Sequence, residues 1–192
     1  MKKYEFENVC WRYYKLLEKT FKDTLVYVEL DIRNYSTFSY EFVRQLQSIG
    51  AEVDSVMKVV CGFKSTDRKT TSDYCPIILR KYSDIKERKI IAGCITICPF
   101  ENWNDADATR SLFWYKAYNE IKHGRTGDFT QANLKNTLYA LAGLYLLEMY
   151  YIREIAQDGE PDVPMEGSEI FGILNWNQKW FSMSSAGAFV CE

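Results

Sequence analysis

The chain carries a single histidine, His123, in 192 residues. Any proton transfer near neutral pH that relies on an untuned side chain therefore falls to this one imidazole. The six cysteines (Cys10, Cys61, Cys75, Cys94, Cys98 and Cys191) are scattered, and only Cys94 and Cys98 lie close together. With one histidine and no second close cysteine pair, the spacing of a structural zinc site is missing, and reduced thiols are expected. Positive charge is not in excess: the formal net charge is -2. That excludes a global field of the kind that drives indiscriminate binding to nucleic acid or anionic membranes, and leaves room for a local basic groove. No apolar run reaches the roughly 18 residues that span a bilayer, and the opening Met-Lys-Lys-Tyr-Glu-Phe-Glu is too polar for a signal peptide. A cytoplasmic protein without membrane partners is expected. No Pro/Gly/Ser-rich linker, repeat or low-complexity tract interrupts the chain, so it reads as one domain over 1–192.

Aromatic residues are abundant, with 14 Tyr and 11 Phe making up most of a 16% aromatic content. Such rings either fill a core or stack on bases, and an aromatic core is the simpler reading. Hydrophobic periodicity then sets a mainly helical fold. Val9, Cys10, Tyr13, Tyr14, Leu17 and Phe21 recur at three- and four-residue steps and predict an amphipathic helix over 4–21. The stretch 25–30 is β-branched and aromatic, suited to a short strand or an extended connector. Ser36, Thr37 and Ser39 offer caps for a long helix whose stripe runs through Phe38, Phe42, Leu46, Ile49, Val53 and Val60 until Gly62 stops it. Glu52 flanks that stripe, and Asp54 and Lys58 have the spacing of a surface ion pair.

The polar segment 64–73 holds Lys64, Arg68 and Lys69 and reads as a solvated loop, with a phosphate-gripping loop as the sharper alternative. Asp73 and Pro76 are expected to open a short helix through Tyr82. The run 90–98 is the best strand in the chain, bulged or turned at Gly93 and ended by Pro99, with 169–176 as its candidate partner. Asn104 is positioned to cap a helix over 105–123, with Asp105 and Asp107 in its first turn and Gly124 at its end. Asp128 and Gln131 resemble a capping box for a last helix, to about Ala156, with Thr130 as an alternative cap. Its segment 138–147 is entirely apolar or glycine, which suits a central core helix or one shared across a subunit interface. An acidic, Pro/Gly-punctuated loop (157–167) follows, and then a tail with Phe171, Leu174, Trp176, Trp180 and Phe181.

The stretch Tyr118-Asn119-Glu120-Ile121-Lys122-His123-Gly124-Arg125 closes the helix expected over 105–123. As a helix end it has a complete structural explanation, since Lys122 and His123 would meet the free carbonyls of the last turn. A long striped helix, an insertion, this motif and a further long apolar helix together resemble the HEPN superfamily over roughly Phe38 to Ala156. The resemblance implies an all-helical bundle carrying a small β insertion (about 61–100) and a C-terminal extension (about 157–192). It also implies a homodimer in bacterial toxin–antitoxin, antiviral-defence or stress systems, with RNA, a nucleotide or a cognate antitoxin as partner, and metal-independent endoribonuclease chemistry in many members, without cofactors.

Within the family's motif an arginine is followed by a polar residue and then a histidine. Here Asn119 matches the polar position and His123 the histidine, whereas Tyr118 stands where the arginine is expected. The resemblance thus implies His123, Arg125 and Asn119 as the candidate catalytic set, with Lys122, Arg110 and Tyr118 at the phosphate. Three functions follow from this reading: an RNA- or nucleotide-binding protein with degenerate catalysis, an endoribonuclease using His123, or a non-catalytic helical oligomerisation protein. RNA cleavage needs both a proton acceptor and a cation at the developing charge, so the tyrosine favours the first.

Overall fold

A computed structural model describes residues 1–124 and 129–177. The protein is mainly helical, with a small three-stranded antiparallel sheet. The N-terminal helix runs end to end through α1 (Lys3–Phe6), a π-helical segment (Glu7–Trp11) and α2 (Arg12–Thr24). Cys10 and Trp11 are buried in this wide turn. The stretch 25–30 is a turn-rich connector rather than a strand, and it leaves Val26 and Tyr27 exposed.

Helix α3 (Tyr40–Val60) is capped by Ser39, whose hydroxyl accepts from the Phe42 amide at 3.1 Å. Phe38 lies before the helix and bridges to Asn133 instead. Helix α4 (Thr71–Lys81) begins earlier than the sequence suggests, because Thr70 is the cap and Asp73 is the third helical residue that reaches back to it (2.9 Å from the Thr70 amide). Strands β1 (Ile90–Ala92) and β2 (Ile95–Ile97) form a hairpin turned at Gly93, which has a φ of +58°. On its other edge β1 pairs antiparallel with β3 (Phe171–Ile173), with Ile90 opposite Ile173, so the tail supplies the partner strand expected of it.

Helix α5 (Phe113–His123) starts eight residues later than the cap at Asn104 implies. Asn104 does accept from the Asp107 amide (3.1 Å), but it caps an isolated turn. Burial of Trp103, whose indole donates to the Ala108 carbonyl at 3.0 Å, folds 103–112 into turns instead of a helix. Helix α6 (Leu134–Ile155) is capped by Asn133, which accepts from the Asn136 amide at 2.9 Å. Gln131 sits in a short 3-10 turn ahead of it, and the Asp128 half of the expected capping box lies outside the described residues.

Seventeen residues of α6 are buried, including the whole of 140–152. It is the central helix, and its most extensive neighbour is α3. Helix α5 lies against both, through two glycines. A Cβ on Gly50 of α3 would stand 2.3 Å from the Tyr118 ring, and one on Gly143 of α6 would stand 2.9 Å from the Trp114 ring. The C-terminal lap is pinned by Glu18 of α2. Its Oε1 accepts from the Tyr14 hydroxyl (2.8 Å), the Ser168 hydroxyl and the Glu169 amide (3.0 Å), and its Oε2 accepts from Lys15 Nζ (2.8 Å). No described helix is long and apolar enough to cross a membrane.

Candidate functional site

Tyr115, Tyr118, Asn119, Lys122 and His123 all lie on α5, and the face that carries the two tyrosines is fixed by α3. Tyr115 stands opposite Asp54 and Tyr118 opposite Gly50, so α5 runs antiparallel to α3. The Tyr115 hydroxyl donates to Asp54 Oδ1 at 2.5 Å, and the Tyr118 hydroxyl reaches Asp54 Oδ2 at 3.4 Å. Lys122 Nζ lies 5.2 Å from the centre of the Tyr118 ring, a cation–π distance. Lysine, phenol, carboxylate and phenol thus form one chain across the α3–α5 contact.

This corrects the reading of Asp54 as half of a surface ion pair with Lys58. The Asp54 carboxylate is taken by the two tyrosines, and Lys58 Nζ donates to the Ser65 carbonyl at 3.3 Å. Burial pushes both phenols up from their ordinary range, with the Asp54 charge adding to it. Both therefore remain protonated donors at neutral pH and neither serves as a base. The Lys122 ammonium is raised by its hydrogen bond to Tyr118 and so stays a cation. Replacing Asp54 with Asn keeps an acceptor but removes the charge. The expected cost is about 1 kcal/mol in urea unfolding, and a stability equal to wild type would show that the pair of hydroxyls does not depend on that charge.

The remaining sequence candidates are dispersed. Lys122 and His123 are exposed in the last turn of α5, and no described residue pairs with His123. Asn119 spends its amide on its own helix, donating to the Tyr115 carbonyl at 3.1 Å, which is back-bonding of the ordinary i−4 kind. Arg110 is exposed and lies three residues before α5 begins. The ten helical steps between Phe113 and His123 amount to about 15 Å, so Arg110 stands at the opposite end of the helix from the imidazole. Arg125 lies outside the described residues.

In the polar loop 64–73, Lys69 is tied to Asp73 at 3.2 Å and lies over the Phe63 ring, so that cation is engaged within the chain. A cleft of about 530 Å³ opens at the C-terminal end of α3, between Cys61, Ile77, Lys81 and Tyr151. No motif residue lines it, and its Lys81 is held by Glu154 (2.8 Å) and the Val60 carbonyl (2.7 Å).

Sequence reasoning overlooked Gly50 and Asp54 as partners of the motif helix. A signal was present: a glycine in the interior of a striped helix marks close approach of another element, and Asp54 follows it by one turn on the same face. Comparison of the chain with protein-family models, curated proteins and solved structures gives no match.

Proposed function

We propose that this chain is a HEPN-like protein that binds the phosphates of RNA or of a nucleotide at the C-terminal end of α5 without cleaving the chain it holds. It would work as a homodimer in a bacterial defence, toxin–antitoxin or stress system, alone or with a cognate protein partner. One observation carries this reading. Tyr118, in the position of the motif arginine, is a neutral phenol turned inward onto Gly50 and Asp54, whereas Lys122 and His123 face solvent. An exposed ammonium beside an imidazole can hold a phosphate; stabilising the charge that develops in cleavage asks for a guanidinium at the arginine position. The all-apolar segment 138–147, which would support a purely oligomeric role if it lay in an interface, is instead buried in the chain's own core, apart from the half-buried Tyr139.

The test is fluorescence anisotropy with a labelled single-stranded RNA over a range of salt, alongside electrophoresis of the same RNA and competition by ATP. Binding should weaken as salt rises, and Lys122→Ala should lower the slope of log affinity against log salt by about 0.7, one phosphate contact on a single strand. The RNA should stay intact. Cleavage abolished by His123→Ala would overturn the non-catalytic reading in favour of a ribonuclease, and no binding to RNA or ATP at low salt would overturn the reading altogether.

A further inference from the structure

Glu148 lies in the middle of α6 with no exposed surface, and neither carboxyl oxygen has a hydrogen-bond partner. Buried polar groups almost always find one, so this carboxyl calls for an explanation. The groups that face it deepen the problem. From α3 comes Glu52, a second carboxyl without an ion-pair partner among the described residues, and from the π-helical segment comes the buried Cys10 thiol, itself close to Tyr151 of α6. A like charge and a thiol give an ionised Glu148 no compensation, and an uncompensated charge in a packed interior is among the costliest arrangements a fold can hold.

We infer that Glu148 keeps its proton in the folded protein, and that losing this proton opens the seam where the N-terminal helix lies on the α3–α6 pair, which makes the seam a pH-sensitive latch. The N-terminal helix is the element to yield, because α3 and α6 share a far larger contact with each other than either does with it. Desolvation, then the Glu52 charge, raises the Glu148 carboxyl well above its ordinary value of 4.5. Burial raises Glu52 in the same direction, and Cys10 is pushed up to about 12 by burial and by the two acids. For an acid raised in the folded state, the unfolded chain releases its proton first, so stability falls as pH climbs above 4.5 until the folded group also ionises. One such proton changes the folding equilibrium by up to tenfold per pH unit. Among the described residues, the acids that folding lowers, Glu5, Asp31, Glu41, Asp73, Asp84 and Glu169, act below that range and in the opposite sense, and so leave the window from pH 5 to 8 to this cluster.

The experiment compares the full chain with Glu148→Gln and Glu52→Gln in urea unfolding from pH 5 to 8, with hydrogen exchange read over residues 3–24. Wild type should lose stability steadily across the range, with exchange rising in the N-terminal helix. Glu148→Gln should flatten the profile and leave that helix equally protected at pH 5 and pH 8, and Glu52→Gln should make the wild-type decline shallower and end it at a lower pH, because the charge that raises Glu148 is gone. An infrared band of a protonated carboxyl should persist in wild type at neutral pH, a readout that needs no variant to fold. A flat wild-type profile, an identical decline in Glu148→Gln, or the absence of that band would each overturn the latch.

Discussion

Glu18→Ala should lower stability by about 3–5 kcal/mol, the range for removing one partner of a buried, hydrogen-bonded charge. The carboxylate is almost wholly buried and is the meeting point of α2 with the lap that leads into β3. Alanine would leave the Glu169 amide without its acceptor and take one partner each from the buried Tyr14 hydroxyl, the Ile170 amide and the Lys15 ammonium, which keep Ser168 or Gly167. Loss should begin locally. Lys15 also donates to the Gly167 carbonyl and Trp11 to the Glu166 carbonyl, so 166–167 keeps two ties to the N-terminal helix while 168–170 depends on Glu18. Urea unfolding gives the total, and hydrogen exchange over 168–173 should rise before the global transition. Glu18→Gln, which keeps an oxygen for the two amides, should recover about half of the loss. A Glu18→Ala protein within about 1 kcal/mol of wild type would mean that β3 is held chiefly by its pairing with β1.

Gly50→Ala is the second large effect, and its sign is opposite to the one helix propensity gives. On an open helix surface the change would stabilise by roughly 0.8–1 kcal/mol. Here the new methyl would lie 2.3 Å from Tyr118 Cδ2 and 2.4 Å from Cγ, atoms near the root of the ring that rotation of its far end cannot move away. The hydroxyl at that far end is meanwhile held by Asp54. Overpacking of this kind costs about 1–3 kcal/mol, so a net loss of about 2 kcal/mol is expected. Because α5 must shift to relieve it, Lys122 and His123 should move too, and the phosphate binding proposed for that helix end should weaken along with stability. Gly50→Ala combined with Tyr118→Ala should recover most of the stability lost through the clash, and a double-mutant cycle showing simple additivity would place the strain elsewhere.

Much of the fold was legible along the chain. The stripe from Phe42 to Val60, the apolar run of α6 and the β-branched run around Gly93 each repeat a local period over enough residues that one face or one edge must be covered. The helix starts were less legible because caps compete locally. Thr70 and Asp73 share one capping box, and Asn104 caps a turn where a helix was expected, since the burial of Trp103 outweighs the preference of 105–112 for helix. The motif 118–125 was visible as a string of residues, but a string does not say which side chains remain available to a ligand.

What the sequence by itself determined was which stretches are amphipathic, where the strand and its partner lie, and that one imidazole and one ammonium close the fifth helix, because these depend on neighbours within a few positions. Tertiary structure alone decided that Tyr118 is spent on Gly50 and Asp54, that Arg110 is a helix length away from His123, and that Glu148 has no partner. Each of those depends on which residues of other helices come to stand opposite, and close packing sets that through shapes that no single stretch of chain contains.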